Sequence, residues 1–191
     1  MNIRACLIPS VIAVLAAFAV SCEKRGVQAG RESTDLTRQE ILSLEDESFL
    51  RAAENAEIRQ TALAQAAWDT STNDEIRQYA KQVITNYRRA LVELSDLIKA
   101  KGIPHTPATG DAIRLDAMNR LHGLSGSSFD HEFISLMTAE QQATVDTFDL
   151  AAETAADPDI RNYARRVLPL VRKDFNTAIA LQRKLAPRKL R

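Results

Sequence analysis

Between Ser43 and Leu185 apolar residues recur at intervals of three and four in four long segments, and no convincing run alternates with period two. Spacing of i, i+3, i+4, i+7 marks an amphipathic helix. The first segment runs from about Ser43 to Trp68, with Phe49, Leu50, Ala53, Ala56, Ala64 and Trp68 on its apolar face. Ser43 is placed to cap it, and Glu45, Asp46 and Glu47 suit the positive end of a helix dipole. The second opens at Thr72, with Glu75 three residues on in a capping-box pattern. Its stripe is long: Ile76, Tyr79, Ala80, Val83, Ile84, Tyr87, Leu91, Leu94 and Ile98. Gly102 ends it, and Pro104 bars a restart.

The third segment runs from about Ser128 to Ala156, with Phe129, Phe133, Met137, Val145, Phe148 and Ala152 facing inward. Asp157 can cap the fourth, with Pro158 at its first position. The fourth continues through Ile160, Tyr163, Ala164, Val167, Leu168, Val171, Phe175, Ala178 and Leu181. Pro169 lies inside it. Proline lacks the amide donor and clashes one turn back, so a kink is expected near Arg165 to Pro169.

Short loops join the first segment to the second and the third to the fourth, which makes each pair an antiparallel hairpin. Residues 102–127 connect the hairpins and carry Pro104, Pro107, Gly110, Gly123 and Gly126, with a short amphipathic piece from Ile113 to Leu121. The prediction is an all-α, ferritin-like four-helix bundle made of two antiparallel helical hairpins with one long crossover connection. The two hairpins also resemble each other. IRQYAKQVI (Ile76–Ile84) and IRNYARRVL (Ile160–Leu168) are identical at five of nine positions, 84 residues apart. At the same offset Phe49 matches Phe133, and Arg88 matches Arg172. The second hairpin reads as a diverged copy of the first.

The chain's first residues are of another kind. Arg4 is followed by sixteen residues, Ala5 to Val20, that are mostly apolar and interrupted by Pro9. A spanning helix needs about 20 apolar residues, so this reads as an export signal. It closes on AVSC, Ala19 to Cys22, which resembles the lipobox of bacterial lipoproteins. The resemblance implies cleavage before Cys22 and lipid on its sulfur and amine; the alternative is an ordinary cleaved signal with an incidental cysteine. Cys6 would leave with the signal, so Cys22 would have no partner for a disulfide. The expected organisation is a lipoprotein signal peptide at 1–21, a lipidated cysteine and polar tether at 22–42, the bundle at 43–186 and a basic tail at 187–191.

Removing residues 1–21 leaves 24 basic and 25 acidic residues, which gives no reason to expect nucleic acid as a partner. The charges are unevenly spread. Asp35 to Glu75 holds ten acids and three bases, and Ile160 to Arg191 holds ten bases and one acid. Two readings stay open. The helices complement one another internally, or the basic C-terminal helix and tail meet an anionic envelope surface.

Four blocks carry a family resemblance: FLRAAENAEIRQTALAQAA (Phe49–Ala67), EIRQYAKQVITNY (Glu75–Tyr87), LSGSSFDHEFISLMTAEQ (Leu124–Gln141) and DIRNYARRVLPLVRKDF (Asp159–Phe175). They resemble a bacterial family of exported ferritin-like domains, domain of unknown function 4142, whose members often carry an outer-membrane label. The resemblance implies the fold and a cell-envelope location; taken with AVSC, the expectation is a lipid-anchored protein facing the periplasm, with the outer membrane favoured and the inner membrane left open. It implies no biochemical activity. It does imply a set of positions. Many relatives carry a glutamate that matches Glu57, and histidines that match Tyr87, Gln141 and Asp174; here all three histidines are replaced.

The residues themselves offer little catalytic chemistry. Ferritin-like oxidases take ligands from Glu-x-x-His motifs. The residues three before His105, His122 and His131 are Gly102, Asn119 and Ser128, so that motif is missing. GLSGSS lacks the strand–turn–helix setting of a nucleophile elbow. The expectation is a non-catalytic binding or structural module with no cofactor and no metal; the alternative is a metal-binding or redox protein of ferritin-like type. Glu57, Tyr87, Gln141 and Asp174 are the candidate polar cluster in the bundle core. The 84-residue offset pairs Glu57 with Gln141. The cluster is a weak oxygen-ligand metal site, or a hydrogen-bonded remnant with Tyr87 donating to Glu57, or a set of residues that face water.

Overall fold

The computed structural model describes residues 42–104, 112, 114–116 and 118–186. Four long helices dominate: α1 (Leu44–Thr70), α2 (Asp74–Ala100), α3 (Gly126–Thr154) and α4 (Pro158–Leu185). They form a ferritin-like bundle. α1 and α2 make one antiparallel hairpin and α3 and α4 the other; α1 also packs on α3, and α2 on α4. α1 and α4 therefore occupy one diagonal, and α2 and α3 the second. Among the described residues no helix is long and apolar enough to cross a membrane. The expected signal, the lipidation site at Cys22, the tether up to residue 41 and the tail at 187–191 lie outside the described residues.

The caps explain the helix ends. The Ser43 hydroxyl accepts from Asp46 N at 3.0 Å, as its position predicts. Asp157 accepts from the amides of Asp159 and Ile160, with Pro158 beginning α4. The cap of α2 is Asn73, one residue beyond the expected Thr72. Its side-chain oxygen accepts from Glu75 N and Ile76 N, while its own amide donates to the Ser71 hydroxyl. α3 begins at Gly126 rather than near Ser128. Gly126 has φ 57°, which a residue without Cβ adopts at little cost. α4 runs through Pro169 without ending. Pro169 and Arg165 both lie on the exposed face, so the carbonyl that proline leaves without a donor belongs to a residue on the solvent side of the helix.

The duplication is visible as repeated contacts. Arg77 donates to the Ser71 carbonyl and Arg161 to the Ala155 carbonyl, a shift of 84 at both ends. Arg88 reaches Gln65, and Arg172 reaches Asp149, again at that shift. The ring pair Phe49–Tyr163 (6.5 Å, 59°) is mirrored by Phe133–Tyr79 (6.2 Å, 58°). Gln60 and Thr144, themselves 84 apart, meet each other at 2.8 Å, which puts the pseudo-twofold axis beside them. Asp46 and Asp130 are a further pair, both buried at the start of the first helix of their hairpin. Asp46 accepts from Ala156 N and Asp157 N in the α3–α4 loop, and Asp130 accepts from the Ser71 hydroxyl in the α1–α2 loop. Each hairpin thus holds the other's turn.

The core has two apolar ends. One gathers Leu63, Ile76, Val83, Phe129, Phe133 and Met137; the other gathers Leu50, Leu94, Phe148, Ile160, Val167 and Val171. Leu121 of the crossover packs on the first. The charge gradient is answered largely between neighbours. Bases of α4 pair with acids of α2 and α3, in Arg166–Glu93, Lys184–Glu75 and Arg172–Asp149.

Candidate functional site

Between the two apolar ends the bundle carries polar side chains. Glu57, Tyr87, Gln141 and Asp174 are all 0% exposed. The water-facing reading of these positions is therefore wrong: all four helices turn one candidate inward. Two residues read at first as part of the apolar stripes belong with them. Tyr79 and Tyr163 are buried too, so all three tyrosines of the chain lie in the core.

Glu57 is reached across the α1–α4 diagonal. Tyr163 donates its phenol proton to Glu57 Oε1 at 2.7 Å. The donor is thus Tyr163 and not Tyr87, whose hydroxyl has no hydrogen-bond partner among the described residues. A tyrosine is the side chain long enough to cross the middle of a bundle while keeping an apolar ring in the core. On the other diagonal Tyr79 of α2 lies beside Gln141 of α3, without a well-formed hydrogen bond between them. The pairs Glu57–Tyr163 and Gln141–Tyr79 are equivalent under the 84-residue repeat.

Burial sets the electrostatics. It pushes the Glu57 carboxyl up to about 8, against the Tyr163 hydrogen bond, which holds it down; the charge of Glu54 adds to the rise. At neutral pH Glu57 is therefore mostly a neutral acid. Burial also raises the phenols of Tyr79, Tyr87 and Tyr163, and the Asp174 carboxylate lifts the first two further. Asp174 is raised by burial, while hydrogen bonds from Asn86 and Gln82 oppose the shift. Gln82 Nε2 donates to Oδ1 at 2.5 Å, and Asn86 Nδ2 lies 3.2 and 3.0 Å from the two oxygens. Asp174 is thus held by amides of α2. Among the described residues Glu57 Oε2, Gln60 Oε1, Tyr79 Oη, Tyr87 Oη and both polar atoms of Gln141 have no hydrogen-bond partner. Such groups in protein cores are usually met by ordered water.

The side chains at the centre fit a ferritin-like metal centre poorly. Two carboxyls, three phenols and an amide replace glutamates and imidazoles, and borderline metals prefer imidazole or thiolate. Glu57 holds its proton to about pH 8. Among the described residues no group of three or more His, Cys, Asp or Glu side chains is arranged to hold a metal ion. His122 and His131, the described histidines, lie at the surface.

One open groove runs between α1 and α3 toward the start of α1. It offers about 780 Å3 between Leu44, Phe49, Ala52, Leu150, Ala151 and Ala155. Leu44 and Leu150 are 81% and 64% exposed on its rim, among the largest apolar exposures described.

Known proteins place this architecture. The fold matches the crystal structure of a DUF305 fragment from Deinococcus radiodurans, with a TM-score of 0.63 and 16% identity, over 75% of this chain and 98% of that one. At that identity the likeness is one of fold. No curated protein matches the chain. The family described as Domain of unknown function (DUF4142) matches residues 31–181, from before α1 to the last turns of α4, and the chain belongs to it.

Proposed function

We propose that the chain is a lipid-anchored protein of the cell envelope whose bundle acts as a non-catalytic binding or structural module facing the periplasm. The observation that carries the non-catalytic part is the chemistry of the core. Its one carboxyl without amide donors, Glu57, is a neutral acid bonded to Tyr163, and the other, Asp174, is occupied by Gln82 and Asn86. That is a hydrogen-bonded remnant of a ligand set. The anchor rests on AVSC and on Cys22. The groove between α1 and α3 is the surface best suited to binding.

Two measurements test this reading. Radiolabelled palmitate should enter the chain and be lost in Cys22→Ser; equal labelling of that variant would remove the anchor. The soluble chain from residue 22, carrying Cys22→Ser and purified without chelator, should hold far less than one metal per chain. Its Tm should ignore ferrous iron, manganese and zinc. Near-stoichiometric metal, lost in Glu57→Ala, would restore the metal-binding or redox class. The anionic-surface reading narrows to few groups. Arg183 is the exposed base of α4 without a described acid or carbonyl partner, Lys173 is exposed and acts on Asp174 through its charge alone, and the tail adds Arg188, Lys189 and Arg191. Salt-sensitive binding to anionic vesicles should fall when 186–191 are deleted.

A further inference from the structure

His131 lies near the start of α3, exposed, with both ring nitrogens engaged. Nδ1 is 2.6 Å from the Ser127 carbonyl oxygen, and Nε2 is 2.6 Å from the Leu185 carbonyl oxygen. A carbonyl oxygen only accepts, and a neutral imidazole carries one N–H. The neutral ring therefore satisfies one contact and turns a lone pair on the other oxygen. Only the imidazolium donates to both. The second acceptor is well placed for a cation. Leu185 is the last residue of α4, so its carbonyl has no intrahelical donor and lies at the negative end of the helix dipole.

We propose that His131 is a pH-sensitive latch that, as a cation, pins the end of α4 to the start of α3 and, on losing its proton, lets that end fray. Among the described residues few other charges face it. Asp130, its neighbour on α3, favours the cation and takes the Ser71 hydroxyl. On α4, Lys184 is held by Glu75 of α2, and Arg183 is exposed. The carbonyls of Ser127 and Leu185 push the His131 pKa above its ordinary value, and slight burial works the other way. A raised folded value means the latch is fully closed below the ordinary histidine pKa of about 6.5 and opens as pH rises through the raised value. The latch does not depend on the proposed anchor or location.

The test is ring-nitrogen NMR of His131 across pH, together with amide exchange at Arg183 to Ala186 corrected for intrinsic rates. The ring should titrate above 6.5 with both nitrogens protonated on the acid side. Exchange at those amides should quicken about two- to fivefold on the alkaline side, the size of a cation's effect at a helix C-terminus. His131→Gln should show the faster exchange at every pH. Titration at or below 6.5, exchange that ignores pH, or an unchanged pH response in His131→Gln would each overturn the proposal. The wild-type titration decides even if that variant folds poorly.

Discussion

Glu57→Gln is expected to stabilise the domain at pH 9 and to flatten its loss of stability between pH 5 and pH 9. The sign follows from the direction of the shift. Burial raises the folded pKa of Glu57 from 4.5 to about 8. Its contribution is fully favourable below the unfolded value and is lost as pH rises through the folded one. A shift of that size corresponds to an upper limit on the order of 5 kcal/mol. Glutamine keeps an acceptor for the Tyr163 hydroxyl and carries no charge at any pH. Urea unfolding at pH 5, 7 and 9 reads the effect directly. Parallel pH curves for wild type and Glu57→Gln would show that the carboxylate is tolerated in the core and that the neutral-acid picture is wrong. Tyr163→Phe tests the same bond from the other side. It removes the donor to Oε1 and leaves the whole buried carboxyl without a protein partner, at a cost of about 1–3 kcal/mol. Tyr87→Phe removes a hydroxyl that has no partner among the described residues and should cost less. The two changes at Glu57 and Tyr163 should be coupled, as contacting residues are.

These side chains also show how far the sequence could be read. The four helices were legible because each must bury one stripe, and the stripe repeats in the sequence at helical period. The inward direction of Glu57 and Gln141 followed from the same phase. What could not be read is which side chains meet across the bundle. Tyr79 and Tyr163 sit in regular apolar stripes, and nothing local distinguishes a phenol that packs from one that donates to a carboxyl on another helix. The signal that points to them is the repeat itself. If Glu57 corresponds to Gln141, then the tyrosines shared by the two copies of the helix-opening motif are the first partners to consider. Gln82 and Asn86 gave no such sign, because long amides beside an apolar stripe usually face water. The cap of α2 was misplaced by one residue for a simpler reason. Ser71, Thr72 and Asn73 are all capable caps, and the choice depends on turn geometry, with Ser71 already bonded to Asp130 and to the Asn73 amide.

The largest single structural loss is expected at Asp46. Glu45, Asp46 and Glu47 look equivalent in sequence, three acids in a first turn, yet Asp46 alone is buried, at 2% exposure. Its two oxygens accept from Ala156 N at 3.1 Å and Asp157 N at 2.8 Å, more than a hundred residues away in the chain. Those amides belong to the turn whose Asp157 both caps α4 and meets Lys101 at 2.6 Å. Asp46→Ala would strip two charge-assisted hydrogen bonds and leave two partly buried amides unmet, a loss of about 2–4 kcal/mol. Asp46→Asn should lose roughly half of that, since one side-chain oxygen remains to accept. Asp130, the equivalent residue, takes one hydrogen bond among the described residues, from the Ser71 hydroxyl, so Asp130→Ala should cost about 1–2 kcal/mol. Urea unfolding ranks the three variants, and faster amide exchange at Ala156 and Asp157 locates the damage. If Asp46→Ala were no worse than Asp130→Ala, the second hairpin's turn would be held by its own cap and by Lys101. The clasp between the two copies would then be a consequence of the fold rather than one of its supports.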